Sequence, residues 1–135
     1  MFDGWKNLES IDMSKFDSTY ASGVEFMFQN CSSLSNIVLP THLINTNCTN
    51  LYSMFNGCSS LESLDLNDWD TENVTGINKL FNGCTSLKLL SLSNWNTSKV
   101  TNMDQVFSEC SSLKSLDLSN WNTSKVTNMY QIFSG

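Results

Sequence analysis

The chain has 135 residues, the length of one domain of about 15 kDa. Ser, Thr and Asn supply 50 of them, Ala occurs once, and seven Lys without any Arg face 13 Asp and Glu, for a net charge of −6. That balance is the opposite of the basic, Arg-rich surface that displaces counterions from nucleic-acid phosphate, so nucleic acid is not an expected partner. No apolar run approaches the roughly 20 residues needed to cross a bilayer, and no membrane insertion by this segment is expected. The opening Met1-Phe2-Asp3-Gly4-Trp5 lacks the basic-then-apolar order of a signal peptide.

Self-similarity decides the fold, and it is strong here. Phe55, Phe81, Phe107 and Phe133 stand 26 residues apart, as do Cys58, Cys84 and Cys110, and Trp69, Trp95 and Trp121. Phe28 and Cys31 precede Phe55 and Cys58 by 27, so that unit carries one extra residue, and Phe2 precedes Phe28 by 26. Residues 1–135 therefore read as a single repeat domain. Its units start at Phe2, Phe28, Phe55, Phe81 and Phe107, with a partial sixth from Phe133.

Each unit opens on an apolar spacing that predicts a short strand with one buried face. In chain order these are Leu8, Ile11 and Met13; Leu34, Ile37 and Leu39; Leu61, Leu64 and Leu66; Leu87, Leu90 and Leu92; and Leu113, Leu116 and Leu118. A turn-rich stretch follows, such as Ser-Asn-Trp-Asn-Thr-Ser around Trp95 and Trp121, whose small polar side chains can bond their own backbone. Met103, Val106, Phe107 and Cys110 then fall at i, i+3, i+4 and i+7, which predicts a short helix with Thr101 or Asn102 as its N-cap. Gly57 and Gly83 are the expected stops in earlier units. One coil cannot bury its own apolar edge, so the coils must stack. The expectation is an α/β solenoid of leucine-rich-repeat-like coils, each with a short strand and a short helix, and a parallel sheet along one side.

The stretch Phe107-Ser-Glu-Cys110-Ser-Ser-Leu113-Lys-Ser-Leu116-Asp-Leu118-Ser-Asn-Trp121-Asn-Thr-Ser-Lys-Val126-Thr-Asn-Met129 resembles the BspA-like leucine-rich repeats, the 26-residue repeat of bacterial surface proteins also found in mycoplasma lipoproteins. The first two units depart from it: Trp5 takes the Cys position, Phe16 and His42 take the Trp position, and Pro40 follows the second strand. The resemblance implies a cell-surface or extracellular protein that uses its repeats for adhesion or partner binding. It implies no catalytic residues and no cofactor.

Several columns invite a chemical reading beside a structural one. Cys31, Cys58, Cys84 and Cys110 share one face; reduced core thiols are favoured over disulfides, and metal binding is disfavoured because no Cys-x-x-Cys pair exists. Cys48 takes the place of the Val column. The Trp ladder would suit sugar rings if exposed, but closing the turn between strand and helix is the favoured role. Thr75, Thr101 and Thr127, and Thr71, Thr97 and Thr123, are expected to bond neighbouring coils. Asp65, Asp68 and Asp70 crowd oxygen ligands but lack the glycine and distal glutamate of a calcium loop, so no metal is expected. His42 with Cys48 or Cys31 would need an orienting group and an oxyanion site that nothing supplies, so the chain reads as no enzyme. Asn30, Asn47, Asn73, Asn96 and Asn122 open glycosylation triplets that matter only in a glycosylating source.

The positions that change between units are the candidates for binding. They form three rows beside the strand leucines: Glu9, Ser35, Glu62, Lys88, Lys114; Ser10, Asn36, Ser63, Leu89, Ser115; and Asp12, Val38, Asp65, Ser91, Asp117. The candidate surface is Glu9, Asp12, Glu62, Asp65, Lys88, Leu89, Lys114 and Asp117, facing a protein or glycan of a host or neighbouring cell. The alternative is a structural stalk or filament that self-associates end to end.

Overall fold

The computed structural model describes all residues, 1–135. Four strands of three residues each form: β1 (Ser10–Asp12), β2 (Asn36–Val38), β3 (Ser63–Asp65) and β4 (Leu89–Ser91). They pair in parallel as β1–β2 and β3–β4, with Ile11 opposite Ile37 and Leu64 opposite Leu90. Each central residue faces inward and its two neighbours face solvent, or nearly so, as the pleat requires.

The structure contains no helix, and the expected α/β solenoid is corrected on that point. Where the apolar spacing predicts a helix, the chain instead forms a run of overlapping tight turns. In the third coil the N–H groups of Leu51, Ser53, Phe55 and Gly57 leave the coil and donate to the carbonyls of Gly76, Asn78, Leu80 and Asn82. The alternate N–H groups of Met54, Asn56 and Cys58 bond three residues back, to Leu51, Ser53 and Phe55. An α-helix would need every N–H to reach four residues back, and half of these are committed to the next coil. The same pattern recurs with Ile77, Lys79, Phe81 and Gly83, and with Met103, Gln105, Phe107 and Glu109.

This turn run repeats every four residues, with a left-handed residue at each repeat: Ser53 and Gly57 (φ 54° and 76°), Lys79 and Gly83 (57° and 72°), Gln105 and Glu109 (54° and 61°). A period of four puts Met103 over Phe107 and Val106 over Cys110, the same spacing that a helix of 3.6 residues per turn would bury. Over eight residues the two periods are indistinguishable, which is why the pattern points to a helix. At Gly57 a Cβ would lie 2.9 Å from Asn30 Oδ1, which would have to shift, although the equivalent left-handed positions carry Asn30 and Glu109 in other coils. At Lys79 no glycine relieves the left-handed backbone, which costs a side-chain-bearing residue roughly 1–2 kcal/mol, partly offset in glycine by its greater loss of freedom. Lys79→Gly is expected to raise stability by about 0.5–1 kcal/mol and the melting temperature by about 2–4 °C. A thermal melt that stays put or falls would contradict the conformation.

The expected single parallel sheet is also corrected, because it is broken into two pairs. No Cα of β2 lies within 8 Å of a Cα of β3, and Ser115–Asp117 in the fifth coil forms no strand. The extra residue of the second unit explains the first break. Ser10 aligns with Asn36 at a spacing of 26, but the next turn, Phe16 N–H to the Met13 carbonyl, aligns with Leu43 N–H to the Pro40 carbonyl at a spacing of 27. The added residue therefore sits at Leu39–Pro40, between strand and turn. It also moves the register by one: Leu43, fully buried, occupies the Trp position and His42 is exposed, not the reverse.

The core is a set of ladders running across the coils. Phe2, Phe28, Phe55, Phe81, Phe107 and Phe133 stack with centroids 5.4, 5.6, 5.9, 5.9 and 5.7 Å apart and planes within 11°. Trp69, Trp95 and Trp121 form a second stack at 6.1 and 6.3 Å. The leucines of the strand column close the remaining side, with Leu34, Leu61 and Leu87 free of solvent.

Candidate interaction surface

The variable rows project outward from the strands and from the strandless fifth coil alike. Glu9, Asp12, Glu62, Asp65, Lys88, Leu89, Lys114 and Asp117 are all exposed. Leu89 is 65% exposed, a large apolar side chain standing in an otherwise polar row, and Val38 of β2 is 42% exposed. Lys88 Nζ lies 2.9 Å from Glu62 Oε2 across the β3–β4 pair. Both ends are in water, where such a pair contributes little stability and is free to exchange for a partner's charge. Along the row the charge runs from acidic to basic, from Glu9 and Glu62 to Lys88 and Lys114.

The aspartates of the third row have a local role that the spacing alone does not reveal. Asp12 Oδ1 accepts the Ser14 N–H at 2.8 Å, Asp65 Oδ1 that of Asn67 at 3.2 Å, and Asp117 Oδ1 that of Ser119 at 2.9 Å. Each closes the turn that follows its strand. The backbone N–H groups of Ser14 and Ser119 hold the Asp12 and Asp117 carboxyls below the usual carboxylate range. These side chains still present one oxygen to solvent, but their first duty is structural.

The thiol column is a hydrogen-bond ladder. Cys31, Cys58, Cys84 and Cys110 donate to the carbonyls of Phe2, Phe28, Phe55 and Phe81 in the preceding coil, at 3.1, 3.2, 3.2 and 3.1 Å. All five cysteines are free thiols. Burial pushes Cys58 up to about 12 and Cys110 up to about 11, and it carries Cys84 well above its ordinary range, helped by the charges its neighbours Cys58 and Cys110 would bear. Such thiols are poor nucleophiles. Cys48 donates to the Ala21 carbonyl at 3.4 Å, and its N–H bonds Asn45 as the N–H of Val74 bonds Thr71, which places it in the Val column. His42 is exposed and bonds neither Cys31 nor Cys48 through its ring.

The remaining polar ladders are also internal. Trp69 and Trp95 are buried, and Trp95 Nε1 donates to the Leu66 carbonyl at 3.0 Å. Thr71 and Thr97 are buried, each accepting a neighbouring coil's N–H (Asn96, Asn122) at 2.8 Å. Thr75, Thr101 and Thr127 are exposed and donate to the carbonyls of Thr49, Thr75 and Thr101. Asp65 and Asp70 bond their own turns, and no three acidic, His or Cys side chains converge as a metal would need.

One feature has only the 27-residue spacing as its sequence signal. The break between β2 and β3 opens a cleft of about 330 Å³ lined by both strands, Leu39, Pro40, Asp68 and Trp69.

Among solved structures, the chain is similar to a leucine-rich cell surface protein from Faecalibacterium prausnitzii A2-165 (27% identity, 82% of this chain and 31% of that one, TM-score 0.46). It is also similar to a leucine-rich repeat protein from Bacteroides ovatus ATCC 8483 (23% identity, 83% of this chain and 32% of that one, TM-score 0.47). The chain thus spans about a third of the length of each. No curated protein matches it. Residues 1–54 match the BspA-type leucine-rich repeat region. The Phe, Cys and Trp ladders continue through residues 49–135, which match the family described as "Mycoplasma protein of unknown function, DUF285", and the chain belongs to that family.

Proposed function

We propose that this chain is a non-enzymatic repeat module that works at the cell surface or outside the cell, binding a protein or glycan of another cell through its exposed strand rows. The observation that carries the reading is the division of labour across the coils. The Phe and Leu columns repeat and are buried, whereas the rows at Glu62, Lys88, Leu89 and Lys114 change from coil to coil and are exposed. Leu89 supplies an apolar anchor and the Glu62–Lys88 pair a charge that a partner can recruit. The match of residues 1–54 to the BspA-type leucine-rich repeat region supports the surface location.

The test is saturable binding of labelled, size-checked monomer to a panel of matrix proteins and glycans. The double substitution Lys88→Glu with Leu89→Ser is expected to weaken the ligand so found by at least about tenfold, or ~1.4 kcal/mol. Unchanged affinity would remove these rows from the site. Growth of the particle with concentration and no ligand would favour the stalk or filament instead.

A further inference from the structure

We propose that the gap between β2 and β3 is a docking site for one extended segment of a partner polypeptide, carrying alternating basic and apolar residues, which inserts as a third, bridging strand. This proposal shares Asp65 with the outward rows but does not depend on Lys88 or Leu89.

The gap is local. Elsewhere the second and third coils are firmly joined: Phe28 and Phe55 stack at 5.6 Å, and the N–H groups of Phe26, Phe28 and Asn30 donate to the carbonyls of Tyr52, Met54 and Asn56. On the strand side alone the coils splay. Bonded strands lie about 4.8 Å apart, so one intervening strand needs about 9.6 Å. The strands of β2 and β3 stand more than 8 Å apart at every Cα pair.

Both lips of the gap offer unpaired backbone. Successive residues of a strand direct their N–H and C=O groups to opposite sides. The Met13 N–H bonds the Val38 carbonyl, so Val38 and Asn36 face β1, leaving Ile37 and Leu39 to face the gap. The Leu66 N–H bonds the Ser91 carbonyl and the Glu62 carbonyl accepts from Lys88, so Ser63 and Asp65 face the gap from the other side. The bonds that would close it, Leu39 N–H to the Asp65 carbonyl and Ser63 N–H to the Ser35 carbonyl, are absent, although their counterparts join β1 to β2 and β3 to β4. Unpaired edges of this kind template strand addition.

The lining specifies the occupant. Its central side chain would point inward between half-buried Ile37 and buried Leu64, with Trp69 also lining the cleft, so it is apolar. Its flanking side chains would point outward. There Asp65 and Asp68 are the charged residues lining the cleft, and no lysine lines it, so the flanking residues are basic.

The probe is the capped peptide Lys-Val-Lys-Val-Lys, titrated into the isotope-labelled full chain. The amides of Ile37, Leu39, Ser63 and Asp65 are expected to shift and to gain protection from hydrogen exchange. Glu-Val-Glu-Val-Glu should bind at least about tenfold more weakly, and Asp65→Asn with Asp68→Asn should weaken the basic peptide by a similar factor. Deleting Pro40 restores the 26-residue spacing, closes the gap and should abolish binding. Shifts confined to the surroundings of Lys88 and Leu89, equal binding of the two peptides, or full binding by a folded Pro40-deletion variant would each overturn the proposal. Should the deletion variant not fold, the double aspartate variant decides.

Discussion

Replacing Phe81 with alanine is expected to lower the unfolding free energy by about 4 kcal/mol, the usual cost of emptying a buried aromatic site. Phe81 is fully buried and lies in the middle of the phenylalanine stack, 5.9 Å from Phe55 on one side and 5.9 Å from Phe107 on the other. Its removal forfeits both contacts, each worth about 0.5–1.5 kcal/mol beyond area burial, and leaves a cavity that its rigidly bonded coil cannot collapse to fill. A domain of this size has about 5–15 kcal/mol in total, so the loss is a large share. The neighbouring coils contribute a second consequence. In a repeat array each coil is stabilised by the next, so a break at the fourth coil separates the first three from the fifth. Urea unfolding should therefore move to lower denaturant and broaden. Phe81→Leu, which keeps most of the volume, should cost under half as much. A shift below about 1 kcal/mol for the alanine variant would mean that the stack is not the core.

The period and the core columns are legible because burial repeats identity: a similar pocket recurs at a spacing of 26 or 27 and selects Phe in every unit, Cys from the second and Trp from the third. The conformation of the turn run is not legible by the same means. Met103, Val106, Phe107 and Cys110 satisfy a helix and a four-residue turn repeat equally well, and only the destination of alternate N–H groups, which lies in another coil, separates the two. Left-handed residues at Lys79 and Gln105 give no sign of themselves, whereas Gly57 and Gly83 do, though they read as helix stops. The 27-residue spacing from Phe28 to Phe55 is visible too, but a single added residue can be absorbed at any loop. Its position at Leu39–Pro40, and with it the exchange of His42 for Leu43 and the opening of the sheet, depends on which backbone bonds survive. The exposure of the variable rows is legible as alternation beside the buried strand leucines. The part that Asp12, Asp65 and Asp117 play in closing turns was hidden, because a side chain two residues from an N–H can bond it or ignore it.

The thiol ladder carries the second large effect, and it is a dependence on pH. Each buried thiol donates its proton to a phenylalanine carbonyl, so ionisation costs both the bond and the burial of a charge. In the unfolded chain the same thiols titrate near the ordinary value of 9.0, whereas the native chain holds Cys58 up to about 12, Cys110 up to about 11 and Cys84 well above 9.0. Below pH 9 both states are protonated and pH changes nothing. Above it the unfolded state loses protons that the native state keeps, so stability falls by about 1.4 kcal/mol per pH unit for each thiol. With three thiols acting together, raising the pH from 8 to 10 should remove about 4 kcal/mol. The slope should lessen above pH 11, where Cys110 begins to ionise in place. Substituting Cys84 with alanine should reduce the slope by about a third while leaving the neutral-pH fold intact, which ties the slope to the thiols. Alkylation gives an independent reading: at pH 8 the native chain should leave Cys58 and Cys84 unmodified, and denaturant should expose all five cysteines. A stability curve flat from pH 8 to 10, or prompt labelling of Cys84 in the native chain, would show that the ladder is not closed against solvent.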